Sequence, residues 1–168
     1  TLGTLRDMLA DLGWDMPLAE CTQHFLGRMV RSQHALIEAR TGQPLTDEWM
    51  RAFYARRDAA LRAHLQAMPG AAAAVQAAHA ATHGRIACAS GADRGKVELQ
   101  LRKVGLWDWF EGRIFSGHEL PASKPAPDVY LAAAAHLQRA PERCLVIEDT
   151  PVGVTAGKAA GATVWALC

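Results

Sequence analysis

Glu148 and Asp149 stand side by side directly after the apolar run Cys144-Leu145-Val146-Ile147, and Thr150-Pro151 follows them. Two adjacent carboxylates at the end of a buried strand repel each other unless a cation or a buried base sits between them. Hard oxygen donors of this kind suit Mg²⁺, which proteins commonly hold with one or two carboxylates and a substrate phosphate. Two other segments carry complementary chemistry. Ser90-Gly91-Ala92 offers a hydroxyl and backbone N–H groups that can cradle an anion. Lys124-Pro125-Ala126-Pro127-Asp128 offers an ammonium on a chain stiffened by its prolines. Each feature alone has a plainer explanation, Ser90 as a helix cap and the charged residues as solvated loop groups. A hydroxyl, an ammonium and an acid pair, each after a strand-like run, together describe a phosphate site.

The elements that must position these residues are legible from periodicity. Residues 144–147 read as a buried strand, with Thr150 as N-cap and Pro151 as first residue of the helix that follows. From Met68-Pro69-Gly70 onward, helical and strand patterns alternate. Helices are predicted over 71–82, 93–104, 127–137 and 151–160, and strands over 85–90, 113–116, 144–147 and 163–167. Such alternation implies a parallel sheet covered by helices, whose ligands gather at the carboxyl ends of the strands. Residues 1–66 contain no strand pattern. Leu2, Leu5, Leu9 and Leu12 recur at helical spacing before Gly13. A second helical stretch over 27–40 places Val30, His34, Leu36 and Ile37 inward, with Gly42 as its stop. Thr46 caps a third helix, whose buried stripe is predicted to be Trp49, Phe53, Ala60, Leu61 and Leu65.

The 168 residues carry a formal net charge of +1, half are apolar and 21% are charged. That composition suits a soluble globular chain and gives no electrostatic footprint for nucleic acid or an anionic membrane. No apolar run approaches the ~20 residues of a spanning helix. Cys21, Cys88, Cys144 and Cys168 are scattered, which fits free thiols in a reducing, cytoplasmic setting. Gly153 to Ala159 fails as a P-loop, since three residues separate its glycines and Ala159 stands where a Ser or Thr is needed. The pairs Cys21/His24 and His79/His83 lack partner ligands for zinc.

Ala89-Ser90-Gly91, the run from Lys124 to Tyr130, and the run from Val146 to Val154 with Ala159-Ala160-Gly161 resemble the haloacid dehalogenase-like hydrolases. They are most similar to the β-phosphoglucomutase-like phosphatases with a small helical cap, and residues 9–28 resemble the start of that cap. The resemblance implies an α/β fold, a Rossmann-like parallel-sheet core (67–168) carrying a small all-helical cap (1–66). It implies phosphoryl transfer from a small phosphorylated metabolite to an aspartate, followed by hydrolysis of the aspartyl-phosphate. Ser90, with the Gly91 backbone, would bind the phosphoryl group, and Lys124 would neutralise charge on nucleophile and phosphate. Asp149 would ligate Mg²⁺ directly, and Glu148 directly or through water. Arg28, with Arg31, is a candidate substrate contact on the cap. Neither a nucleic-acid nor a membrane partner is implied, and a monomer or weak dimer is expected.

One departure is large. The Asp-x-Asp that opens such chains, source of the nucleophile, is absent. Thr1 falls roughly 15 residues too late for a strand and its loop to precede the first helix. The sequence is therefore expected to be part of a longer chain, and inactive and poorly stable without it. Ala92-Asp93 replaces the Ser-Lys with which phosphomutases grip a second phosphate, so a phosphatase is expected over a mutase. The acid pair speaks against the metal-free dehalogenases. A non-catalytic α/β scaffold is the alternative from another class.

Overall fold

The structure, a computed structural model, describes residues 1–167. It divides into two compact units, Thr1–Leu65 and the remainder from Gln66.

In the first unit the helices are α1 (Leu2–Ala10), α2 (Leu18–Phe25), α3 (His34–Thr41) and α4 (Asp47–His64), with a 3-10 turn over Val30–Gln33. Leucines at positions 5 and 9 place one face of α1 inward, where Phe25, Ile37, Met50 and Phe53 meet it in a single core. The Thr46 hydroxyl accepts the Trp49 N–H at 3.1 Å and starts α4. Two expectations change here, and one helix was not predicted. The helix α2 lacked a clear periodic signal, and its start is marked by Pro17 alone. His34 is exposed at the first position of α3, directly after the 3-10 turn, whereas Ile37 is buried. The buried stripe of α4 is Met50, Phe53, Arg57 and Leu61, whereas Trp49 is half-buried and stacks on Phe53 at 5.9 Å. Arg57 is tolerated inside because Asp58 lies 2.7 Å away and the Tyr54 ring accepts the face of its guanidinium at 4.8 Å.

The second unit runs α5 (Ala71–Ala81), β1 (Cys88–Ser90), α6 (Arg94–Lys103), α7 (Trp107–Phe110), β2 (Ile114–Ser116), α8 (Asp128–His136), β3 (Leu145–Glu148), α9 (Pro151–Ala159) and β4 (Thr163–Ala166). β1 lies parallel to β2, with Ala89 opposite Phe115 and Ser90 opposite Ser116. β3 lies parallel to β4, with Ile147 opposite Trp165 and Glu148 opposite Ala166. Among the described residues these are two separate strand pairs, and helix packing joins them. The buried face of α8, Val129 and Tyr130, touches one cluster that holds Ala89 and Phe115 from the first pair and Val146 and Val164 from the second. A second cluster of Val97, Leu101, Leu106 and Ile114 closes the other side of β1 and β2. The opposite face of β3 and β4 is bare: Leu145, Ile147 and Trp165 are 48%, 55% and 62% exposed. The predicted strand 85–90 is shortened to three residues because Arg85 and Ile86 bond back into the turn after α5.

Phe53→Ala should lower the unfolding free energy in urea by about 3–5 kcal/mol, the usual loss for a buried aromatic. Trp49→Ala should cost distinctly less. Equal losses would mean that the sequence-derived stripe, and not the observed one, carries the packing.

Candidate active site

Residues from three loops and one helix converge at the carboxyl ends of β1 and β3. The buried alternation of β3 brings Val146 and Glu148 to the face covered by α8 and α9. Glu148 is therefore buried, while Asp149, one residue on, is exposed. Glu148 sits within a shell of donors. Lys124 Nζ and the Tyr130 hydroxyl both donate to its Oε1. The Thr150 hydroxyl donates to its Oε2 at 3.0 Å. Lys124 Nζ also donates to the Ala89 carbonyl at 3.3 Å and lies 4.7 Å from the centre of the Tyr130 ring. Lys124 is thus a buried base paired with Glu148, its side chain 8% exposed against 9% for the glutamate.

This arrangement fixes protonation. Burial alone would raise the Glu148 pKa, but the bonds from Lys124, Tyr130 and Thr150 outweigh it and hold the carboxyl below the ordinary glutamate value. Burial first, and the bond to Glu148 second, push the Tyr130 hydroxyl well above its ordinary value, so it remains a proton donor. Burial also raises the Cys88 thiol, against the pull of Lys124, and keeps it protonated.

Ser90 ends β1, and its hydroxyl accepts the Ala92 N–H at 3.1 Å. It therefore shapes its own loop, while Asp93 caps α6 by accepting the Lys96 N–H at 3.0 Å. The loop is tied to the next one twice. The Ser116 hydroxyl donates to the Ala92 carbonyl at 2.7 Å, and Arg94 forms a fork on Glu119 at 2.6 and 2.7 Å. Gly91 lies against Ser123, the residue before Lys124. Ser90, Gly91, Lys124 and Glu148 therefore belong to one neighbourhood, with Asp149 on its exposed side. Arg28 belongs to the helical unit and is exposed, just after Phe25–Gly27.

Three participants had no contact with Glu148 assigned from sequence. Tyr130 lies two residues into α8, and its spacing from Lys124 carried no signal of a shared carboxylate. Thr150 reads as an N-cap, which it is, its hydroxyl accepting the Gly153 N–H at 3.1 Å, but it also holds Glu148. Gly153 is needed for space: a Cβ there would overlap the Glu148 carboxylate. As metal donors, Glu148 and Asp149 supply hard oxygens of the kind Mg²⁺ takes, two carboxylates being the usual protein share. No group of three or more His, Cys, Asp and Glu side chains clusters among the described residues.

The haloacid dehalogenase-like hydrolase family matches residues 8–161, and the chain belongs to that family. It is 38% identical to the bifunctional riboflavin kinase/FMN phosphatase of Arabidopsis thaliana over 61% of this chain and 27% of that protein. It is 35% identical to the fructose-1-phosphate phosphatase of Escherichia coli over 47% of this chain and 43% of that one. A solved haloacid dehalogenase family hydrolase from Deinococcus radiodurans, with bound phosphate and sodium, superposes with a TM-score of 0.71 at 31% identity, covering 98% of this chain and 72% of the other. The matches span less than half the length of such curated relatives, 27%, 7% and 40% for three of them. No helix among the described residues is long and apolar enough to cross a membrane.

Lys124→Met strands the Glu148 carboxylate and should lower the unfolding free energy by about 3–5 kcal/mol. A folded-state pKa below the unfolded one gives stability that is complete above the ordinary glutamate value and lost as pH falls through the lower, folded value. Stability measured against pH should therefore drop below about pH 4.3, with a shallower slope in Glu148→Gln. An unchanged slope would mean that Glu148 is not the titrating group. Gly153→Ala should cost about 1–3 kcal/mol through displacement of that carboxylate.

Proposed function

We propose that these residues form the phosphate and metal side of a Mg²⁺-dependent phosphatase that hydrolyses a small phosphomonoester, such as a sugar phosphate. The observation that carries the reading is the buried Lys124, held by Glu148 and the Ala89 carbonyl at the strand edge where Ser90 lies. An ammonium so placed neutralises charge that develops on a phosphoryl group, and costs no reorganisation when the group reacts. The Ser90 hydroxyl and the Gly91 backbone N–H hydrogen-bond phosphoryl oxygens, with the Ala92 N–H holding the Ser90 oxygen in place. Tyr130 and Thr150 keep Glu148 ionised and oriented. Asp149, exposed beside it, would hold Mg²⁺ directly and Glu148 directly or through water, the ion supplying charge neutralisation on the phosphate. The nucleophile is assigned to an aspartate of an Asp-x-Asp preceding Thr1: its carboxylate would take the phosphoryl group as the ester's alcohol leaves, and water would then hydrolyse the aspartyl-phosphate, releasing inorganic phosphate and restoring the carboxylate. Arg28 is assigned to substrate contact. The phosphatase names of the relatives, and the phosphate bound by the Deinococcus protein, support the substrate class.

A phosphomutase is disfavoured because Asp93, committed to capping α6, keeps an acid where a second substrate phosphate would need a base. The free thiols of Cys21, Cys88 and Cys144 suit a cytoplasmic protein, and a monomer or weak dimer is the assigned state.

With the full-length protein, Asp149→Ala should abolish Mg²⁺-dependent hydrolysis of a generic phosphomonoester while leaving thermal stability near wild type. Near-normal turnover would overturn the metal assignment. Lys124→Ala should lower kcat by orders of magnitude, and an effect confined to KM would contradict its place beside the reacting phosphate. Absence of hydrolysis in the full-length protein, with no thermal stabilisation by Mg²⁺ and phosphate, would favour the non-catalytic scaffold.

A further inference from the structure

At the amino ends of β1 and β2, the edge opposite Ser90 and Glu148, lies a shallow depression of about 380 Å³, open to solvent and lined mostly by exposed side chains. Its wall includes His83, Arg85, Arg113, His136, Gln138 and Arg139, and no acidic side chain lines it. In a chain whose net charge is only +1, this is a pronounced local excess of cations. The cluster is assembled by the ends of two helices. His83 follows α5 and Gln138 follows α8, both in the left-handed region at φ 51° and 54°, so the chain turns and presents Arg85 and Arg139 immediately afterwards.

The plainer explanation is that the arginines only cap helix carbonyls. Arg113 Nη1 does donate to the Gly84 carbonyl at 2.7 Å, and Arg139 Nη1 to the Gln138 carbonyl at 2.8 Å. Magnitudes decide against capping as the whole account. Two helix C-termini bring about −0.5 each, so three guanidinium groups leave an excess of about +2. Each capping bond uses one of the five N–H donors of its guanidinium, and Arg85 makes no such bond among those described. The surplus equals the roughly −2 charge of a phosphate monoester, and the fork geometry of arginine matches its oxygens. Nucleic acid would need a broad basic face, which the net charge of the chain does not supply.

We propose that this depression is a second anion site, separate from Lys124 and Glu148, which binds a small phosphate-bearing ligand. Arg85, Arg113 and Arg139 supply the charge, and Gln138 and the two histidines supply directional hydrogen bonds. The site also has a mechanical link to the candidate active site. α8 carries Tyr130 in its first turn and His136 in its last, so one helix touches both.

The test is titration of the ¹⁵N-labelled full-length protein with inorganic phosphate, without Mg²⁺, and then with AMP, in wild type and in Arg85→Gln/Arg139→Gln. Both replaced residues are exposed, so the fold is kept, which unchanged spectra away from the depression will verify. Saturable shifts of amides 83–85, 113 and 136–139 in wild type are expected, weakened about tenfold or more in the variant, as loss of charged hydrogen bonds requires. Shifts at residues 90–92 should persist in both proteins. Tighter binding of AMP than of phosphate would identify a phosphorylated metabolite, and equal binding free phosphate. Shifts confined to residues 90–92, shifts at the depression that the double substitution leaves intact, or a non-saturating response reproduced by sodium chloride would overturn the proposal.

Discussion

The ion pair between Lys124 and Glu148 is the constraint on which the α/β unit turns. Neither group is stable there alone, since an unpaired charge this deeply buried costs several kcal/mol. Each therefore requires the other, and both require the elements that bring them together. Lys124 arrives from the loop after β2, bonds the backbone of β1, and reaches the last residue of β3. It thus links strand pairs that have no ladder between them, at the end where the loops gather. Tyr130 and Thr150 complete the shell on Glu148, and the missing side chain of Gly153 leaves room for it. A polar cluster satisfied on every side sets one geometry, and here it occupies the place where the functional groups converge.

Much of this was legible before any coordinates. Alternating helical and strand periods gave the α/β character after Gly70, and the acid pair after 144–147 marked the edge where a site would lie. That two such acids need a cation or a base followed from charge alone, and Lys124 was already a candidate. What could not be read was the choice between those partners. Glu148 and Lys124 are 24 residues apart, and only the packing of α8 across both strand pairs decides that they meet. Tyr130 was hidden for the same reason, as an aromatic at a position that looked like ordinary core. In the helical unit, Arg57 displaced the expected apolar stripe because its charge finds Asp58 and the Tyr54 ring, partners that periodicity ignores.

The α/β unit also separates its charges by edge. At the carboxyl edge, Glu148 is paired with Lys124, and Asp149 stands exposed beside them. At the amino edge, three arginines gather with no carboxylate lining their depression. The C-terminal ends of α5 and α8 point their carbonyls there, and a parallel layout makes this inevitable, since every helix returns the chain in the same direction. Some basic side chains at that edge are expected on dipole grounds. Their number exceeds what two helix ends require.

The bare face of β3 and β4 has a practical side. Parallel strands are ordinarily covered on both faces, yet Leu145, Ile147 and Trp165 form a flat apolar strip open to water. Such a strip seeks company, and its easiest partner in a concentrated solution is the same strip on a neighbouring molecule. Samples of these 168 residues should accordingly grow cloudy on concentration, in a manner sensitive to mild detergent and insensitive to salt. Trp165, at 62% exposure, gives the process a built-in fluorescent reporter, because its emission will move to shorter wavelength as the strips close over one another.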